Sequence, residues 1–160
     1  MPEVIFTGPG GRIEGRFHPA KQKNAPIAII LHPHPQFGGT MNHQIIYQLY
    51  YAFVHRNFSV LRFNFRGVGR SQGSFDHGQG ELSDAASALD WAQSINPEAR
   101  SCWIAGVSFR LALPGWPRVR LLRPAVSPRK RRSFTTASAC RRHGRRASPM
   151  YRRLLSCRLI

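Results

Sequence analysis

Acidic residues are scarce in this sequence, and none occurs after Glu98. All seven Asp and Glu lie in residues 1–109, together with nine of the 24 Lys and Arg, whereas residues 110–160 hold the other fifteen. The formal charge is therefore +2 for the first segment and +15 for the second, which gives the total of +17. A single domain rarely divides its charge in this way, so each segment needs its own explanation.

Cysteine is also rare: Cys102, Cys140 and Cys157 form no C-x-x-C pair. An odd number at this spacing argues against a disulfide framework and against a zinc ribbon. Long apolar runs are missing, and the first residues have neither the basic region nor the apolar region of a secretory signal. We therefore expect a cytoplasmic protein with no membrane partner.

Residues 110–160 lack Asn and Gln as well as acids, and they contain fourteen Arg and five Pro. Their apolar residues follow neither the helical nor the strand period, and the prolines interrupt every possible helix. Such a segment buries too little surface to repay its ordering entropy. The pattern predicts a basic, disordered tail.

Residues 1–109 have the periodicity of a folded α/β domain. A hairpin is predicted first, then buried strands alternating with amphipathic helices, which is the pattern of parallel βαβ units. The predicted hairpin strands are Val4–Phe6 and Ile13–Phe17, the buried strands are Ile27–Leu31, Phe58–Phe65 and Cys102–Ala105, and the helices cover Asn42–His55 and the residues around Leu82–Leu89.

The third buried strand runs into Gly106-Val107-Ser108-Phe109, the first four positions of the G-x-S-x-G nucleophile elbow. In that turn the serine hydroxyl is held clear of the sheet, between a strand and a helix. Ser108 is thus a candidate nucleophile. The alternative is a serine in an ordinary turn.

An acyl-transfer serine needs hydrogen-bond donors for the oxyanion, one of which is the amide of the next residue, here Phe109. The second donor comes from a loop after an earlier strand, and the loop at residues 32–39 is suitably placed. Proline has no N–H, so the His34 amide is the preferred donor and the Gln36 amide the second choice. The loop's prolines and glycines could equally serve only to turn the chain.

Several motifs in residues 1–109 together resemble the bacterial α/β-hydrolases related to dienelactone hydrolase and small esterases. They are Leu31-His32-Pro33-His34-Pro35-x-x-Gly38-Gly39-x-Met41, Phe63-Asn64-Phe65-Arg66-Gly67-Val68-Gly69-Arg70-Ser71-x-Gly73, Gly80-Glu81-x-x-Asp84 and Ala105-Gly106-Val107-Ser108-Phe109. The resemblance implies the N-terminal half of an α/β-hydrolase fold and a cofactor-free serine hydrolase of carboxylic esters or similar acyl compounds. It also implies Ser108 as nucleophile, the His34 and Phe109 amides as oxyanion hole, and a structural role for the Arg66–Gly73 turn.

The sequence departs from that pattern at Arg110, where the elbow requires a small residue. In the family's order a carboxylate and a histidine follow the nucleophile, yet no acid follows Ser108 and the only later histidine is His143. A serine without base and orienting acid is a poor nucleophile. We therefore interpret residues 110–160 as the product of a frameshift, and expect this chain to be inactive.

Three alternatives rest on other features. The Arg-rich tail would bind nucleic acid through phosphate charge, although any segment this basic would do so. His32 and His34, with His18 or His43, could begin a zinc site, but they form no extended ligand motif. Gly67 and Gly69 follow a strand, but their spacing is not that of a dinucleotide-binding fingerprint.

Overall fold

The computed structural model describes residues 2–106 and the short segment 158–159. Predictions that fall on the rest lie outside the described residues: Ser108, Phe109, His143, most of the basic tail and its nucleic-acid alternative.

A mixed sheet forms the framework of the described residues. Its strands are β1 (Glu3–Gly8), β2 (Gly11–His18), β3 (Ile27–Leu31), β4 (Ser59–Phe63), β5 (Cys102–Gly106) and β6 (Arg158–Leu159), in the order β1-β2-β4-β3-β5-β6. β1, β2 and β4 pair antiparallel, while β3 pairs parallel with β4 and β5. The predicted hairpin and the three parallel strands are confirmed.

Two helices cover opposite faces of this sheet. α1 spans Gln44–Val54 and α2 spans Gln79–Ile95. Alternate residues of β3 point to opposite faces, so Ile27 and Ile29 pack in the cluster with α2, whereas Ala28 and Ile30 pack in the cluster with α1. This burial on both faces explains the continuous apolar run of β3.

The ends of α1 agree closely with the sequence prediction, whereas α2 extends at both ends beyond the residues around Leu82–Leu89. The His43 ring accepts a hydrogen bond from the Ile45 amide, which caps α1 one residue after the predicted start. Asn96 caps the C-terminal end of α2, because the following proline disfavours helical backbone there. None of the described helices is long and apolar enough to cross a membrane.

One element comes from the tail. Arg158 and Leu159 pair in parallel with Trp103 and Ile104 of β5. Two residues beside one strand carry no periodic signal, so the sequence offered no basis for predicting them.

Candidate active site

The carboxyl ends of β3 and β5 lie side by side. Leu31, the last residue of β3, is the register partner of Gly106, the last residue of β5. The loop that begins at His32 and the segment that continues toward Ser108 therefore leave the sheet from neighbouring positions at one edge. In open α/β sheets this edge is where ligands bind.

The loop after β3 is closed around His34. The backbone carbonyl of His34 accepts hydrogen bonds from the amides of Phe37 (3.0 Å) and Gly39 (3.1 Å). Its ring Nδ1 accepts one from the Gln36 amide at 3.2 Å, and a 3₁₀ turn spans Pro35–Phe37. The Gln36 amide, the second-choice oxyanion donor, thus already has an acceptor within the loop.

The His34 amide is oriented by the residue two positions earlier. The protonated Nδ1 of His32 donates to the Pro33 carbonyl at 2.6 Å. The peptide bond between Pro33 and His34 is trans, because the described residues contain no cis peptide. In a trans peptide the N–H points opposite to the C=O, so the His34 N–H is directed away from the His32 ring.

His32 itself is almost fully buried, with 1% of its surface exposed. Its Nε2 accepts a hydrogen bond from the Phe65 amide at 3.0 Å, and this acceptor role assigns the proton to Nδ1. Burial lowers the pKa of His32 from 6.5 to about 4, against a smaller opposing effect of the bond to Pro33. His32 is therefore a neutral linker between the loops after β3 and β4.

These contacts are relevant to the alternative interpretation in which His32 and His34, with His18 or His43, begin a zinc site. Both ring nitrogens of His32 are used within the protein, and the Nδ1 of His43 accepts the Ile45 amide at the start of α1. Within residues 2–106, no group of three or more His, Cys, Asp or Glu is arranged to hold a metal ion.

The turn after β4 is fixed by a buried ion pair. Asp84 is fully buried, and its two oxygens accept hydrogen bonds from Nε (2.9 Å) and Nη2 (2.8 Å) of Arg66. The Arg66 amide donates to the same carboxylate at 3.1 Å. The hydrogen bond to Asp84 raises the pKa of Arg66 above its usual value. This geometry agrees with the structural role that the resemblance implied for the turn.

Glu81 holds a second turn, just before α2. Its buried carboxylate accepts hydrogen bonds from the amides of Asp76 (2.9 Å) and Gly78 (2.8 Å). Between them His77 has a φ of +46°, in the left-handed region. Sequence reasoning assigned no separate role to Glu81 and considered His32 only as a candidate zinc ligand, not as a link between two loops. For His32 the only available signal was a histidine directly after a buried strand.

Comparison with known proteins agrees with this architecture. The family model described as X-Pro dipeptidyl-peptidase (S15 family) matches residues 16–111, more than half of the chain. An uncharacterized protein of Rickettsia prowazekii is 55% identical over 109 residues, which are 68% of this chain and 46% of that protein. The uncharacterized Escherichia coli protein YfhR is 34% identical over 59% of this chain and 34% of its own length. The chain thus spans less than half the length of these curated relatives.

Solved structures show the same partial match. A protein of unknown function from Agrobacterium tumefaciens, described as a candidate α/β-hydrolase, is 73% identical with a TM-score of 0.66, over 68% of this chain and 50% of that one. An α/β serine hydrolase homologue from Coxiella burnetii is 37% identical, with a TM-score of 0.62 over 68% and 52% of the two chains. A Xanthomonas campestris α/β serine hydrolase without a lid is 32% identical, with a TM-score of 0.62 over 68% and 50%. The chain belongs to the X-Pro dipeptidyl-peptidase (S15) family, within the α/β-hydrolases.

Proposed function

We propose that this chain carries the N-terminal half of a serine hydrolase that cleaves carboxylic esters or related acyl compounds, with Ser108 as nucleophile. The observation that carries the proposal is the pairing of Leu31 with Gly106. Because of this pairing, the loop that contains His34 and the segment that leads to Ser108 begin next to each other. The amides of His34 and Phe109 are the proposed oxyanion donors.

In this mechanism the Ser108 hydroxyl attacks the acyl carbon while a base removes its proton. The carbonyl oxygen becomes an oxyanion, which the two amides stabilise, and the alcohol leaves with a proton to give an acyl-enzyme. Water then attacks the acyl-enzyme and releases the acid. No cofactor is needed, and the partner is a small acyl compound in the cytoplasm.

We also propose that residues 110–160 are an out-of-frame product, so that this chain lacks the triad acid and base. Three observations support this. Acidic residues are absent from the segment, the family model stops matching at residue 111, and the matched region makes up only 46% of the Rickettsia prowazekii relative. We therefore expect no esterase turnover by this chain.

The test uses two proteins. In the gene, another reading frame after the Phe109 codon should encode a small residue and, later, an Asp or Glu and a His. The protein translated from the corrected frame should hydrolyse p-nitrophenyl acetate and lose that activity in Ser108→Ala, whereas the present chain should not. Turnover by the present chain that disappears in its Ser108→Ala variant would refute the inactivity, and a corrected enzyme unaffected by Ser108→Ala would refute the nucleophile.

A further inference from the structure

Four aromatic side chains form a continuous row at the edge of the sheet that carries the candidate site. The His34 ring lies 5.1 Å from the Phe37 ring and 4.9 Å from the Phe75 ring, centroid to centroid. The Phe75 ring lies 5.2 Å from that of His77. We call these four residues the ring row.

The ring row is open to solvent. Phe37 is 86% exposed, the largest fraction among the exposed large hydrophobic side chains of the described residues. His77 is exposed, and His34 and Phe75 are half-buried. At the tip of the loop a Cβ added to Gly38 would meet no atom within 4 Å. A phenyl ring in water is unfavourable, and a contiguous exposed aromatic surface beside a candidate active site is typical of a ligand site.

Both ends of the row are held rigidly by the backbone. At one end, three hydrogen bonds close the loop on His34. At the other end, the buried Glu81 carboxylate binds the amides on either side of His77 and keeps that residue in its left-handed conformation. A left-handed non-glycine residue costs about 1 kcal/mol or more and persists only where neighbours enforce it, often at ligand sites. Rigid display of rings reduces the entropy lost on binding.

The ring row connects the loops that follow two neighbouring strands. β3 lies between β4 and β5, so the loop of His34 begins between the carboxyl ends of β4 and β5. The row therefore includes the residue of the proposed oxyanion donor and extends from the loop after β3 to the loop after β4. If the carbonyl oxygen of the ester is bound at the His34 amide, a substituent of the ester can contact the ring row.

We propose that the ring row is a subsite for an aromatic group of the ester substrate, an inference that rests on the proposed hydrolase function. Successive rings are spaced 4.9–5.2 Å apart in edge-to-face or tilted contact, the spacing at which aromatic pairs attract. A planar aromatic ring of the ligand would extend this series of ring–ring contacts. A saturated ring covers the same surface without the favourable ring–ring electrostatics, so it binds more weakly.

The experiment is an NMR titration of the full chain with N-benzylacetamide, an amide analogue of benzyl acetate, observed through the ring C–H signals of His34 and His77. N-(cyclohexylmethyl)acetamide is the matched probe without a π system. We expect N-benzylacetamide to shift both histidines and to bind about fivefold more tightly than the saturated probe. Equal affinity for the two probes would overturn the aromatic preference.

Variants locate the binding. Phe37→Leu changes a solvent-exposed residue, so the fold is retained, and it should weaken N-benzylacetamide binding about fivefold. Phe75→Leu should have a similar effect, whereas Tyr51→Leu, at an exposed position on α1, should have none. Unchanged affinity in both phenylalanine variants would overturn the site. Since the probe contains no ester, this titration is independent of whether Ser108 acts as a nucleophile.

Discussion

The Phe65 backbone amide donates its hydrogen bond to Nε2 of His32 across 3.0 Å, and this contact joins the loops after two neighbouring strands. The same ring holds the Pro33 carbonyl through Nδ1. One buried imidazole thus fixes the peptide that bears the proposed oxyanion donor.

Replacing this imidazole should destabilise the fold. His32→Ala removes the acceptor of the Phe65 amide and leaves a cavity, which we expect to cost about 2–4 kcal/mol in the free energy of unfolding. Urea denaturation, monitored by circular dichroism, measures this change in the free energy of unfolding. The control is His55→Ala, at an exposed position, which should change stability by less than about 0.5 kcal/mol. Equal effects of the two variants would contradict the linking role.

The lowered pKa of His32 predicts a pH dependence of stability. Its pKa is about 4 in the folded protein and 6.5 in the unfolded chain, so between these values the unfolded chain binds more protons. The stabilisation from the neutral ring is therefore complete above pH 6.5 and is lost as the pH falls toward about 4. Between pH 6.5 and about pH 5 the His32 contribution should fall by roughly 2 kcal/mol. Urea titrations at several pH values should show this slope, and it should be absent in His32→Ala.

The buried ion pair of the turn after β4 should be costly to break. Asp84→Ala leaves the mostly buried Arg66 guanidinium without its carboxylate, with an expected loss of about 3–5 kcal/mol. Asp76 lies 4.0 Å from the same guanidinium, but its side chain is 58% exposed. Asp76→Asn should therefore cost less than about 0.5 kcal/mol. Thermal and urea unfolding would measure the loss of stability in each variant. Similar losses in the two variants would contradict the conclusion that the buried pair with Asp84 is the dominant contact of Arg66.

Two adjacent glycines should respond differently to the same substitution. A Cβ at Gly39 would overlap the Pro33 carbonyl, so Gly39→Ala must displace the backbone, at about 2 kcal/mol or more. Gly38 has a φ of +74° but open space around it, so Gly38→Ala should cost only about 1 kcal/mol, for the left-handed conformation. The His34 ring signals should move in the first variant and stay in the second. The reverse order would show that the loop is not packed as described.

Local patterns predicted most of the fold. The apolar run of Ile27–Leu31 and the helical spacing before His55 depend on neighbours in the chain, so β3 and α1 appear within two residues of their predicted bounds. The contacts of the candidate site are different. The hydrogen bonds of His32 with Phe65 and of Arg66 with Asp84 join residues 33 and 18 positions apart. Such bonds leave no periodic trace, and the left-handed backbone of His77 is imposed by Glu81 rather than by its own residue type.

The strand order has a consequence for assembly. The ribosome synthesises a protein from its N-terminus, and a domain begins to fold as the residues that make its contacts become available. Among the described residues, the hydrogen bonds given above for the loop of His34 and the turn of Arg66 are made by residues up to Asp84, and β3 already has β4 as a neighbour before β5 is translated. The proposed oxyanion loop should therefore take its shape on the ribosome regardless of which reading frame supplies the remaining residues.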